Sequence, residues 1–138
     1  MEELTDFTPE IIYSLRGNEI FVFGSNLAGM HGGGAARSAL KWGAIMGQGV
    51  GLQGRTYAVP TMFRNVDEIQ PYVTDFILFA ENHPEYRFLV TKIGCGIAGF
   101  EVEEIAKLFQ KVIHNKIKNI SLPKEFVSIL IENENNKV

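Results

Sequence analysis

A chain of 138 residues with 46% hydrophobic and 21% charged side chains has enough apolar surface for one compact domain, residues 1–138, and is not a disordered polypeptide. Its net charge of −3 and lack of any basic block exclude nucleic-acid binding through a general positive field. A single cysteine, Cys95, excludes an intrachain disulfide and a cysteine-based zinc cluster, and apolar runs such as "FILFA" (76–80) are far too short to span a membrane.

The opening "MEELTDF" lacks the basic and apolar regions of a signal peptide, so an intracellular, cytoplasmic location is expected. Thr8 as N-cap and Pro9 at the first helical position predict a short helix over 9–15. Strand "EIFVF" (19–23) follows, and then the glycine loop "GSNLAGMHGGGAAR" leads into a helix over 34–46. A second glycine-rich stretch, "GQGVGLQG" (47–54), ends that helix and turns the chain. Strand 55–60 precedes a helix over 67–83, which Pro71 either opens or kinks. Strand 86–93 runs into a third glycine loop, "GCGIAG" (94–99), followed by a helix over 102–115 with Ile105, Leu108, Phe109 and Val112 on one face. A short strand (118–122) precedes a polar C-terminal tail.

Apolar strands alternating with helices predict an α/β fold with a mostly parallel, buried central sheet. Ligands of such folds sit beyond the carboxyl ends of the strands. Two glycine loops fall there, after 19–23 and after 86–93, and "VPTMF" (59–63) supplies a third strand end. Free amides in a tight glycine loop at a helix start suit a phosphate, and two such loops facing each other suit a diphosphate. The plain alternative is a set of tight turns. No Gly-Lys-Ser/Thr follows the glycines, and the Rossmann spacing is absent.

The segment "FGSNLAGMHGGGAARSAL" resembles the asparagine, glycine-loop and helix segment of macrodomains, which bind ADP-ribose. "TKIGCGIAGFEVEEIAKLF" resembles their second phosphate loop, with "IGCG" closest to the branch that removes ADP-ribose from acidic side chains. "GRTYAVPT" is similar to the strand between, and the whole chain, with its ending "LPKEF", resembles small stand-alone macrodomain-like proteins of phages and bacteria. The resemblance covers about 19–127. It implies a three-layer sandwich with helices on both faces of the sheet, in the cytoplasm of a bacterial or phage-infected cell. The implied partner is an ADP-ribose-like nucleotide, with no cofactor or metal. By position, Asn26 would bond the distal ribose. Gly32, Gly33 and Gly34 would line that ribose and the diphosphate. Gly94, Cys95, Gly96, Ile97, Ala98 and Gly99 would wrap the diphosphate from the other side, and Phe100 would pack on a sugar or the base. Asp6 would accept the adenine amino group, although it lies further from Asn26 than the family pattern has it.

The chain departs from the family where catalysis would need it. Ala98 stands where the "IGCG" branch keeps an aspartate, and Met62 where it keeps a lysine. Ala35 and Ala36 stand where another hydrolytic branch keeps an acid. Taken singly, His31 either touches a phosphate, acts as a base, or is an exposed loop histidine. Ser25 is a ligand hydrogen-bonder or a turn cap. Cys95 is a thiol activated near a helix start, or a small residue packed under its loop. Lys92 faces either cleft or solvent. Trp42 and Phe63 stack on a base or pack in the core. His83 and His114, near helix ends, read as structural.

The leading expectation is capture or sensing of an NAD-derived nucleotide. The alternative is an ADP-ribosyl hydrolase or phosphatase using substrate-assisted water. A lysine-decarboxylase-like phosphoribohydrolase would need a Pro-Gly-Gly-x-Gly-Thr loop that the chain lacks. A purely structural domain leaves the glycine loops unexplained.

Overall fold

The computed structural model describes residues 7–136 of the chain. Five strands form one mixed, mostly parallel sheet: β1 (Glu19–Ser25), β2 (Gly51–Gln53), β3 (Thr56–Pro60), β4 (Arg87–Val90) and β5 (Ile120–Ser121), in the order β2-β3-β1-β4-β5. β1 lies at the centre, pairing in parallel with β3 (Val22 opposite Tyr57) and with β4 (Val22 opposite Val90). β4 pairs in parallel with β5, and only β2 runs antiparallel.

Both faces of β1 are apolar, so both are covered. Ile20 and Val22 join a large core with Phe76, Phe88, Phe109 and Phe126. This core gathers helices α2 (Gln70–Glu81), α3 (Val102–Lys107), α4 (Gln110–His114) and α5 (Lys124–Asn135). Phe21 and Phe23 face a smaller cluster with Ala39, Ala44 and Ala58, against which Trp42, Ile12 and Leu15 pack. Ala39 ends α1 (Gly34–Ala39). In α2 the spacing of Val73, Phe76, Ile77 and Ala80 sets one buried stripe, and Pro71 opens the helix without kinking it.

Several elements differ from expectation. No helix forms over 9–15; the segment runs without regular structure, and the Thr8 hydroxyl, expected to cap it, has no partner among the described residues. A helix that short is marginal by itself, and burial of Ile12 and Leu15 against the sheet takes its place. The helix expected over 34–46 stops at Ala39, continues as a 3-10 turn (Leu40–Trp42), and ends at Gly43, whose φ is 108°. Ala44 N–H bonds Ala39 O there (3.1 Å) and Gly43 N–H bonds Leu40 O (3.3 Å), a Schellman closure. The stretch 47–54 is not only a turn: it contains β2, joined to β3 by a two-residue turn with Gly54 in the left-handed region. The helix expected over 102–115 breaks between α3 and α4, where Leu108 and Phe109 make tighter i−3 bonds. The polar tail is helix α5, which buries Phe126, Val127 and Leu130 at helical spacing.

The expected convergence of three strand ends is present. β3, β1 and β4 are neighbours and parallel, so Ser25, Pro60 and Val90 end on one rim. The rim is tied by Thr61 N–H to Ser25 O (2.9 Å) and by the Thr91 hydroxyl to Val22 O (2.8 Å).

Candidate functional site

The first loop leaves β1 at Ser25 and is held from inside the protein. Ser25 is buried, and its hydroxyl donates to Gly49 O at 2.5 Å. Asn26 folds the loop on itself: its Oδ1 accepts from Met30 N–H (2.9 Å) and its Nδ2 donates to Met30 O (3.2 Å). Both side chains act in shaping the loop. Gly29 and Gly49 let this turn lie backbone to backbone on 47–49; a Cβ on Gly29 would overlap the Gln48 backbone, and one on Gly49 the Asn26 carbonyl.

His31 is not an exposed loop residue. It is 1% exposed, with its ring edge-on to Phe23 at 5.2 Å. Its Nε2 lies 3.1 Å from Gln48 O, which also accepts from Gln53 Nε2 (2.9 Å). A carbonyl only accepts, so Nε2 donates to it, while the buried Nδ1 has no partner among the described residues. His31 therefore anchors the start of Gly32–Gly34 from below.

The second loop leaves β4 and closes on itself through Cys95 N–H to Lys92 O (3.3 Å), Gly99 N–H to Gly96 O (3.0 Å) and Phe100 N–H to Gly94 O (2.9 Å). Gly94, at φ 75°, sits directly on the Ile105 side chain, so that a Cβ would lie 2.7 Å from Ile105 Cδ1. Phe100 packs under the loop against the main core. Cys95 is half-buried, and its thiol faces Ile93 O at 3.5 Å. Burial pushes that thiol upward, against Lys92, which pulls it down; Glu101 and Glu103 push the same way as burial. The helix start does not activate it. The first turn of α3 carries Glu103 and Glu104, and Glu101 N–H bonds the Glu104 carboxylate (3.1 Å). An anion at this loop would thus meet loop amides and not the end of α3.

The two loops face each other. A Cβ on Gly33 would lie 3.9 Å from Cδ1 of Ile97, and one on Gly24 would lie 3.4 Å from the Gly94 amide nitrogen. Among the described residues, none accepts a hydrogen bond from the amides of Gly32, Gly33, Gly34, Gly96, Ile97 or Ala98. Most glycines of the chain have a reason within the fold, either a left-handed φ or a neighbour too close for a Cβ. The exceptions are Gly17, in the turn before β1, and Gly32, Gly33 and Gly96, all on the two facing loops. Gly33 is extended (φ −159°, ψ 170°), a conformation open to any residue.

Beside the second loop lies a cleft of about 850 Å³. Thr8 and Glu10 line one side, Lys92 the β4 exit, and Lys124, Glu125 and Ser128 the start of α5. Lys92 Nζ meets Glu125 Oε2 at 2.6 Å, so Lys92 faces this cleft. The contact raises Lys92 and lowers Glu125 from their ordinary values. Thr8 is buried and its hydroxyl has no partner among the described residues. Asp6 lies outside the described residues.

Of the other candidates, Met62 is exposed after β3 and Ala98 is half-buried in the second loop. Trp42 packs on Phe21 (4.9 Å) beneath Lys41, whose Nζ is 4.5 Å from the Trp42 ring, and Phe63 stacks on Tyr72 (5.7 Å). His83 and His114 contact Glu85 and Glu134, away from the glycine loops. Among the described residues no three His, Cys, Asp or Glu side chains gather closely enough to hold a metal, and no helix is long and apolar enough to cross a membrane.

Reading by motif passed over the α5 side of the cleft. The signal was present: Pro123 followed by apolar residues at 126, 127 and 130 marks a helix start just after the last strand. Gln48 and Gln53, which brace the first loop, carried no such mark. Comparison of the chain with protein-family models, curated proteins and solved structures returned no match.

Proposed function

We propose that the chain binds ADP-ribose or a related NAD-derived nucleotide, holding its diphosphate between the two glycine loops. The carrying observation is that Gly32, Gly33 and Gly96 have no reason within the fold to be glycine, yet lie on two loops that face each other. A ligand that must approach the backbone supplies that reason. The unaccepted amides of 32–34 and 96–98 are donors suited to phosphate oxygens, which fits a protein of net negative charge. The adjoining cleft has room for a nucleoside half. The sheet, with α1 on one face and α2–α5 on the other, is compatible with the three-layer macrodomain-like sandwich that the resemblance implies.

Binding without efficient turnover is the reading favoured, as capture or sensing of the nucleotide. Met62 and Ala98 offer neither a proton nor a nucleophilic nitrogen on the rim, and His31 is buried with its Nε2 committed. Titration calorimetry against ADP-ribose, NAD, AMP and cyclic ADP-ribose tests this, with the same samples followed by chromatography. Saturable binding of ADP-ribose without product is expected. No heat with any of the four would overturn the reading, and fast product formation would turn it into the hydrolase alternative.

A further inference from the structure

The charges of the chain are unevenly placed. From Ile20 to Val66 there is no carboxylate, while Arg37, Lys41, Arg55 and Arg64 all fall in that stretch. Seven of the eleven large apolar side chains exposed among the described residues fall there too, so its surface is cationic and apolar at once. Five of the seven sit on two touching segments. Leu27 lies in the turn closed by Gly29 N–H to Asn26 O (3.0 Å), and Met30 follows it. Ile45 and Met46 lie in the turn closed by Gln48 N–H to Ile45 O (3.0 Å), and Val50 follows them. Gly47 N–H bonds Gly29 O at 2.8 Å, and Gly29 and Gly49 bring the two segments into backbone contact. That contact leaves no space between the segments for side chains, and the five remain 41–61% exposed. Methionine is among the more often buried residue types, yet Met30 and Met46 are 61% and 52% exposed here.

Arg37 on α1 and Lys41 on the 3-10 turn precede the second of these turns in the chain. Both are exposed, and neither pairs with a carboxylate among the described residues. Unpaired cations beside exposed aliphatic tips, with no carboxylate in the stretch, match a partner that is anionic and apolar together. A nucleic-acid backbone would answer the cations and leave the aliphatic side chains in water. The five side chains line neither the cleft at α5 nor the one of about 620 Å³ beside 11–16; they stand on turns, a form suited to entering a soft layer. We propose that this face docks on an anionic lipid surface. The tips of Leu27, Met30, Ile45, Met46 and Val50 enter the boundary between headgroups and acyl chains, and Arg37 and Lys41 meet headgroup phosphates. Such docking is peripheral and needs no spanning helix. It stands apart from the nucleotide reading above.

The test is co-sedimentation of the full chain with vesicles of phosphatidylcholine alone and of phosphatidylcholine mixed in equal parts with phosphatidylglycerol. The parent is expected to bind the anionic vesicles about fivefold or more over the neutral ones, and to lose most of that binding in high salt. Two double variants separate the contributions. Ile45→Ser with Met46→Ser, at exposed positions, should keep the parent's melting temperature and lower vesicle binding several-fold. Arg37→Gln with Lys41→Gln should remove the preference for anionic over neutral vesicles. A parent that binds neither vesicle, or both equally, overturns the proposal, as does full binding by both folded variants. Sedimentation velocity without lipid is run beside it. A dimer that Ile45→Ser with Met46→Ser dissociates would also overturn it, because the face is then covered by a second copy of the chain.

Discussion

A Cβ placed on Gly33 lies 3.9 Å from Cδ1 of Ile97, so the Ile97 side chain, 79% exposed, spans the space between the two glycine loops. Because Gly33 is extended, Gly33→Val meets no backbone strain. It gives up a glycine at the N-cap of α1, a loss of about 1 kcal/mol. The variant should therefore melt cooperatively within a few degrees of the parent, yet lose nucleotide binding, since the new methyl groups fill the space between the loops. Calorimetry and thermal melts on the same preparation check both halves. A variant that binds ADP-ribose as tightly as the parent sinks the anion-loop reading of 32–34.

The layout of the rim was legible because it depends on patterns that local sequence carries. The runs "EIFVF" and "FLV" are apolar on both faces, which only a covered, mostly parallel sheet accommodates, and glycines after them mark the loops. The roles within the loops were less legible. Whether a glycine serves packing or a ligand depends on what lies across from it: Gly29 touches Gln48, nineteen positions on, while Gly32 touches nothing. His31 looked like a loop histidine because its cover comes from Phe23 and Gln48, outside its own segment. The cleft is assembled from Thr8, Lys92 and Glu125, three residues far apart in the chain, and no spacing rule connects them.

Tyr57 gives a pH test of the core. It lies buried among Phe76 and Phe79, and burial, with the nearby Asp75, pushes its hydroxyl up to about 12 from 10.0. The folded state thus favours the neutral phenol. That contribution is fully present below pH 10, where the unfolded phenol is also neutral, and is lost as pH rises towards 12. Urea unfolding at pH 8 and at pH 11 should show a larger loss of stability for the parent than for Tyr57→Phe. Equal losses would mean that Tyr57 is not what is being titrated.

Cys95 should be a slow thiol. Burial, Glu101 and Glu103 all raise it, and only Lys92 opposes them. Less thiolate at neutral pH means slower alkylation. Iodoacetamide at pH 7.5 should modify the folded chain several-fold more slowly than the urea-unfolded chain, as followed by intact mass. Faster modification of the folded chain would instead indicate an activated nucleophile in the second loop.

Nucleotide binding should depend only modestly on salt. The donors assigned to the diphosphate are main-chain amides of 32–34 and 96–98, on the two facing loops. Exposed ion pairs are screened over roughly 8–10 Å at physiological salt, whereas hydrogen bonds to amides at contact distance are not. Calorimetric affinities at 20 mM and 200 mM sodium chloride should differ by only a few-fold. A steep loss would transfer the anion to exposed cations such as Arg37 and Lys41, which lie along the chain just after the first loop.

The catalytic expectation is the most exposed to refutation. Macrodomain-like removal of ADP-ribose from acidic side chains, as the resemblance describes it, relies on a lysine and an aspartate at the positions of Met62 and Ala98. Methionine has no nitrogen to attack an anomeric carbon, and alanine neither takes nor gives a proton. General acid–base help is typically worth about 10²–10⁴-fold in rate, so its absence should leave only slow, substrate-assisted turnover. His31 does not replace it, since its Nε2 is committed to Gln48 O and its Nδ1 is buried. A time course on glutamate-linked and arginine-linked ADP-ribosylated protein should therefore show little release by the parent. The double variant Met62→Lys with Ala98→Asp, run beside it, should release more from the glutamate-linked substrate. Rapid release by the parent, abolished by Asn26→Ala, would replace the binder with an enzyme, and His31→Gln would then be the next variant to assay.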